Sequence, residues 1–570
     1  MTQKHNSDAN LGRASIDAGF SFALAAFVVG LGLLAVLARI GLPDIALRFC
    51  VWALIFAGLV VIATRLRTMR PAEFYAGGRN LPPAYTALAY AGLAAGLFLP
   101  FLPPLLPDVS FSSLAMGFAL GLAAALCITG PYLRRSAAFS IADLVGMRFP
   151  HPLVRCVVAG IAAGCAVFIA LAGYDIALRA FIATTGASRG LGIFVVGFLL
   201  ILLIVPGGLS GVIWLAAGGT IVTLAALGLP AILALLHQSP LGFGMTRFVQ
   251  LAAMEPAPAF NPAIAVALGL GLAALTPLFG PSVASDGRIT ALRAGPLAVF
   301  FIGVLALLSI TSLSRASYAL DDVLIGQDPV KVSAQVLTGG ASGLTLCGTA
   351  TNDPIAIGVA CGALPGLTAG LRPRDIGASA AYLLENLPDL AHLGAVLGGL
   401  ASVFAMTLGI AVAASGIQSF TTSLGHDIYH PNRRRFGPVS RRLAIARALT
   451  ILLVVLAGYF FAHHRADPRT LVLLAAVFSA SLIAPVLALT LLKRANALDA
   501  GAALVIAVAL MAHFFFTHQQ GWPIAALANN TIFAGLDATF AGVFASLLHG
   551  HQTIPSGPAL PPPGQLVGPD

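Results

Sequence analysis

The chain has 570 residues, of which 58% are hydrophobic and only 9% charged, and its mean hydropathy is +0.93. A soluble protein carries about 25% charged residues, so this composition excludes one, and the lack of short alternating strands excludes a β-barrel. The net charge of +10 sits in the joints between apolar runs, where it orients a membrane protein and implies no nucleic-acid partner.

Runs of roughly 20 apolar residues predict membrane helices in chain order. The polar start MTQKHNSDANLGRASID reads as a cytoplasmic tail before a retained helix. Spans are predicted near 18–38 and 45–64, followed by Arg65, Arg67, Arg70 and Arg79 on the cytoplasmic side. The next, 84–106, holds Gly92, Gly96, Pro100, Pro103 and Pro104, so it is expected to be interrupted, and interruptions survive only where they are buried or line a cavity. Spans 112–132, 154–184 and 190–205 follow, then a Pro206-Gly207-Gly208 turn into 211–236. Span 263–283 carries Gly269, Gly271, Pro277, Gly280 and Pro281, a second breaker-rich helix, and 291–312 leads outward.

An external segment reaching about Leu390 contains Cys347 and Cys361 and is expected to hold no full crossing. Its cysteines read as two free small apolar residues rather than a disulfide. Next comes the stretch TLGIAVAASGIQSFTTSLGHDIYHPNRRR, Thr407–Arg435, which begins inside the predicted span 394–422 and runs on past its end. Small residues let neighbouring backbones approach closely, so this helix is expected at the centre of the bundle, and its Arg cluster marks a cytoplasmic exit. Spans 443–461, 470–492, 500–516 and 524–548 bring the expected total to about 14, with both termini cytoplasmic, before a Pro-rich disordered tail.

Taken together, these residues resemble the sodium:solute symporter family, most closely its acetate-permease branch. The resemblance rests on EFYAGGRNLP at Glu73–Pro82, SIADLVGMRFPHPLVR at Ser140–Arg155, PGGLSGVIW at Pro206–Trp214, ALGLGL at Ala267–Leu272, AVAASGIQSFTTSLGHDIY at Ala411–Tyr429 and the stretch Leu474–Arg494, in that order. It implies a five-plus-five inverted-repeat core over 71–495, preceded by a tail and two helices (1–70) and followed by two helices (496–550) and a disordered tail (551–570). The resemblance also implies that the first and sixth core helices are unwound at mid-membrane, in agreement with the breakers at 84–106 and 263–283. Sodium-coupled members carry two adjacent hydroxyl residues on the eighth core helix. Here those positions are Ala411 and Val412, which offer a hard cation no oxygen.

The expected substrate contacts are Gly92, Gly96 and Phe98 on the first interrupted helix, Gly271 and Thr276 on the second, and Ser415 and Gln418 on the small-residue helix. No metal ligands and no cofactor are expected beyond a coupling Na+ or H+. Asp175 and Arg179, four apart, read as a local ion pair near the external end. Asp537 reads as an interhelical hydrogen-bonding residue. His426, Asp427 and Tyr429 read as a structural contact between helix end and loop.

No H-E-x-x-H motif and no facing catalytic carboxylates occur, so an enzyme is not expected. The expected function is solute:cation symport of a small solute, a short monocarboxylate such as acetate, in a bacterial inner membrane. The alternative is a transporter-like sensor or accessory subunit that binds a solute without moving it.

Overall fold

The computed structural model describes residues 2–102, 109–237, 259–326, 344–347, 354–362, 371–372, 375–429, 439–492, 495–517 and Val543. The first half comprises α1 (Thr2–Ile40), α2 (Asp44–Arg65), α3 (Pro71–Ala76), α4 (Pro83–Phe98), α5 (Phe111–Ala124), α6 (Gly130–Arg135), α7 (Ile141–Arg148), α8 (Pro152–Thr185) and α9 (Arg189–His237). The second comprises α10 (Pro262–Ala273), α11 (Gly280–Ala284), α12 (Arg288–Leu324), β1 (Leu344–Leu346), α13 (Pro354–Gly362), β2 (Ile376–Ala378), α14 (Ala380–Leu390), α15 (Ala395–Thr422), α16 (Val439–His463), α17 (Pro468–Phe478), α18 (Ala484–Leu491) and α19 (Ala497–Thr517).

Small residues decide where α15 sits. A Cβ added to Gly173 of α8 would lie 2.2 Å from the Ala413 nitrogen. One added to Gly409 would lie 2.6 Å from the Ala177 nitrogen, and one added to Gly416 would lie 2.5 Å from the Ala170 nitrogen. The two backbones are therefore in direct contact along several turns, which only stripes of Gly and Ala permit. Almost all of α15 is buried, including Ala411 and Val412 at 0% exposure.

The 49 residues of α9 would span roughly 74 Å if straight, more than twice a bilayer core of about 30 Å. The helix instead reverses at Gly208, whose φ of 53° and ψ of −137° suit only glycine, and Gly211 returns against the Leu203 carbonyl. The Pro206 carbonyl at the turn accepts from the Thr68 amide, and Arg447 binds the Val205 carbonyl. At the other end Arg189 binds the His464 carbonyl, and Ser312 binds the Leu227 carbonyl. The expected Pro206–Gly208 turn is thus present, and α9 is a hairpin of two crossings.

The two interrupted helices differ. At 262–284 the break is real: Leu275 is extended, Pro277 removes a donor and disfavours helical geometry at Thr276, and the two halves bend by 55°. At 84–106 the expectation of a mid-membrane break is corrected. The α4 helix runs unbroken through Gly92 and Gly96 and tightens to 3₁₀ only at Leu99–Phe101, where Pro100 ends it. Glycine inside a helix does not break it when the missing side chain admits a neighbour. Here the Ala216 carbonyl would lie 2.2 Å from a Gly92 Cβ, and Val412 would lie 2.6 Å from a Gly96 Cβ.

Between α12 and α15, the described residues contain no helix long enough to cross, only α13, α14 and the antiparallel pair β1–β2. Cys347 and Cys361 form a disulfide there, which corrects the reading of free thiols. The bond joins the turn after β1 to α13, a neighbourhood that spacing alone does not show. Arg48 and Asp389, 2.6 Å apart, tie this end of α2 to α14, and Trp52 donates to Ser402 of α15. The expected span at 524–548, Asp537 within it and the tail lie outside the described residues, apart from Val543.

Gly173→Ala and Gly416→Ala should each destabilise the detergent-solubilised protein by about 1–3 kcal/mol through overpacking, read as a lowered Tm. A membrane-impermeant thiol reagent should label Cys347 and Cys361 only after reduction, as two added masses within one proteolytic map.

Candidate functional site

The break in 262–284 faces α15 across a small cavity of about 30 Å³. That is room for roughly two water-sized groups, each needing about 10–15 Å³. Thr276, Phe279 and Gly280 line it from the break, Gln418 and Thr422 from α15, and Tyr75 and Ser140 from the end where the arginines gather. Among the described residues, three buried polar atoms there have no hydrogen-bond partner: Thr276 Oγ1, Gln418 Oε1 and the Tyr75 hydroxyl. Gln418 is positioned by its own amide, whose Nε2 donates to the Phe74 carbonyl at 2.9 Å, leaving Oε1 unpaired. Burial pushes the Tyr75 phenol up to about 12 although Arg442 opposes it, so at neutral pH Tyr75 carries a hydrogen to donate. A buried unpaired polar atom costs about 1–3 kcal/mol, and three around one cavity can each pair with a small polar group placed between them.

Of the expected contacts, Thr276 and Gln418 meet at this cavity. Ser415, one turn before Gln418, bonds back to the Val412 carbonyl at 2.8 Å. The others lie elsewhere. Gly92 and Gly96 are packing positions against α9 and α15, and Gly271 packs against the Ala476 carbonyl. Phe98 meets Phe118 edge to face, ring centroids 5.0 Å apart. Tyr75 and Ser140 were not expected as lining residues. Ser140 opens a Ser-x-x-Asp capping pattern, which is a signal for a helix start and not for a cavity.

Beside the cavity, Asp143, His426 and Asp427 offer ligand atoms within 4.8 Å of one another. Two guanidinium groups already serve them. Arg155 lies 2.9 Å from Asp143 and 3.8 Å from Asp427, and Arg442 donates to His426 Nδ1 at 3.1 Å. An Arg can only donate, so Nδ1 accepts and Nε2 carries the hydrogen toward Asp143, 3.8 Å away. The cluster is therefore read as an ion-pair network rather than a metal centre. Burial pushes the Asp143 carboxyl up, but His426, Arg155 and the Phe139 amide outweigh it and hold the group below the usual carboxylate range. His426 and Asp427 thus do have partners, supplied by Ser140, Asp143 and Arg155 from the α7–α8 region.

The same end is closed by backbone. Leu81 and Ser285 form a bridge, the Leu81 amide donates to Ala284, and Arg134 binds the Ser285 carbonyl at 2.7 Å. At the opposite end Asp175 pairs with Arg179, whose guanidinium also reaches the Ala466 carbonyl.

No protein family and no curated protein matches the sequence. Among solved structures the chain is similar to a Na+-coupled sialic acid symporter in a substrate-bound outward-open state, at 13% identity and a TM-score of 0.60, covering 89% of this chain and 98% of that one. Weaker likenesses include a nucleobase-cation-symport-1 family transporter (13% identity, 85% and 95% covered, TM-score 0.46) and a manganese transporter of Eremococcus coleocola (14%, 85% and 94%, TM-score 0.40). The fold is that of inverted-repeat secondary transporters.

The helix pairing obeys that symmetry. The sixth core helix, α10, packs on the second, α5, as the first, α4, packs on the seventh, α12. Gly92 and Gly271 each admit the carbonyl of an alanine, Ala216 on the fifth core helix and Ala476 on the tenth.

Because the Asp143 pKa is lowered, its stabilisation is present above the ordinary carboxylate range of about 4 and is lost as pH falls through the depressed value. Asp143→Asn should flatten that acid-side loss in a stability-versus-pH series. Arg155→Met leaves two carboxylates uncompensated and should lower stability by about 3–5 kcal/mol at neutral pH, read from thermal unfolding.

Proposed function

We propose that the protein is a secondary active transporter, a solute:cation symporter that moves a small solute by alternating access. The observation that carries this reading is the cavity at the break of 262–284, where Thr276 Oγ1, Gln418 Oε1 and the Tyr75 hydroxyl are buried and unpaired. A break in a membrane helix beside such a cavity is the arrangement by which transporters of this architecture hold their solutes. The solute class is a short monocarboxylate such as acetate. The hydroxyls of Thr276 and Tyr75 are donors suited to a carboxylate, and the small volume suits a molecule of few heavy atoms.

The site lies toward the end bearing Arg65, Arg79, Arg134 and Arg155, which we assign to the cytoplasm. The same rule supports placing both termini in the cytoplasm, and we assign the chain to a bacterial inner membrane. In purified proteoliposomes, labelled acetate or pyruvate should accumulate under an imposed proton or sodium gradient, above protein-free vesicles. Thr276→Val and Gln418→Leu should raise KM more than they lower the maximal rate. Saturable binding without accumulation under either gradient would replace the transporter by a solute sensor.

A further inference from the structure

The coupling ion follows from two places in α15 and the helical turns after it. At the first, Ala411 and Val412 are both fully buried and alkyl, and Val412 Cγ2 stands 2.6 Å from where a Gly96 Cβ would be. Methyl groups fill the gap between α4 and α15, and neither side chain offers a sodium ion an oxygen in place of its water.

The second place is Asp427, whose side chain has no solvent exposure. Ser140 donates to its Oδ2 at 2.6 Å, but among the described residues no donor reaches Oδ1. Its charged or titratable neighbours are Asp143 on α7, Arg155 on α8, the adjoining His426, Arg442 on α16 and Tyr75 on α3. Arg155 is shared, closer to Asp143 at 2.9 Å than to Asp427 at 3.8 Å. Asp143 also receives the Phe139 amide at 3.1 Å. Of the two acids Asp143 is therefore saturated with donors, whereas Asp427 keeps an oxygen open inside a dry site and beside a second carboxylate. That free oxygen is a place where a proton can be added without breaking a hydrogen bond. Ser140, which holds Asp427, and Tyr75, whose ring lies 5.6 Å from that of His426, both line the cavity of Thr276 and Gln418.

We propose that Asp427 is the proton-binding carboxylate that couples solute movement to a proton gradient. The proposal rests on the transport reading and adds the ion to it. Ionised, Asp427 ties the end of the central helix to α7 through Ser140 and to α8 through Arg155, which closes the cavity toward the arginine-rich face. Taking one proton on Oδ1 removes the negative charge, weakens the attraction to Arg155 and loosens that tie. Return of the proton to the cytoplasm restores the carboxylate and the closed end. One proton is bound and one released per cycle, and no other group changes its bonding.

The test has two arms on full-length protein. In proteoliposomes with an alkaline interior and no sodium, labelled acetate or pyruvate should accumulate. Asp427→Asn should abolish that accumulation, Asp427→Glu should retain part of it, and the exposed Asp467→Asn should leave it unchanged. Each variant is first checked for an unaltered thermal transition. Independently of transport, infrared difference spectra on acidification should show a protonated-carboxyl band that Asp427→Asn lacks and Asp143→Asn keeps. Sodium-driven uptake that Asp427→Asn leaves intact, or a carboxyl band that survives Asp427→Asn, overturns the proposal while the transport reading stands. No uptake under either gradient overturns the transport reading and the coupling with it.

Discussion

Contact between two backbones is the constraint from which the rest of the molecule follows. Gly173 faces Ala413, Gly409 faces Ala177 and Gly416 faces Ala170, each pair so close that one added methyl would overlap the partner's main chain. In lipid there is no hydrophobic gain from joining two apolar helices, so close packing must supply the association. The α8–α15 contact fixes the central helix in depth and rotation. That in turn presents Gln418 to the break and carries Asp427 to the residues at the start of α8.

Symmetry explains why one element can organise both halves. An inverted repeat places α8 and α15 in equivalent positions, so their contact lies at the centre of the core. The carbonyl-into-glycine contacts at Gly92 and Gly271 repeat on either side of it. The repeats then diverge where chemistry is needed. In the second, Pro277 follows Thr276 directly and opens the helix at the cavity, whereas in the first no proline intervenes before Pro100 and the helix stays whole. The polar cavity consequently lies at the break in the second repeat, and α4 contributes no lining residue to it.

The polar groups at the arginine-rich end interlock. The Leu81–Ser285 bridge closes that end by backbone, Arg155 pairs with Asp143, His426 turns its Nε2 hydrogen toward the same carboxylate, and among the described residues one oxygen of Asp427 keeps no hydrogen bond. Charges taken out of water in this way are costly unless paired, and a pair sharing one guanidinium stands close to the balance between closed and loosened.

Much of this architecture was legible in the residues themselves. Hydropathy and arginine placement describe each segment locally, so the helices, their order and the Pro206–Gly208 reversal could be read directly. The Thr276-Pro277 break was legible too, because proline acts on its own backbone and that of its neighbour. What could not be read was whatever depends on a partner from another segment. Gly92 and Gly96 looked like weak points, and only the arriving Ala216 and Val412 made them packing positions. Cys347 and Cys361 looked like two small apolar residues until the fold set the turn after β1 beside α13. His426 and Asp427 looked like a helix end without partners until the fold brought Ser140, Asp143 and Arg155 against them. Backbone preference and hydrophobicity are properties of a stretch of chain, whereas a buried charge takes its meaning from neighbours that only the tertiary structure supplies.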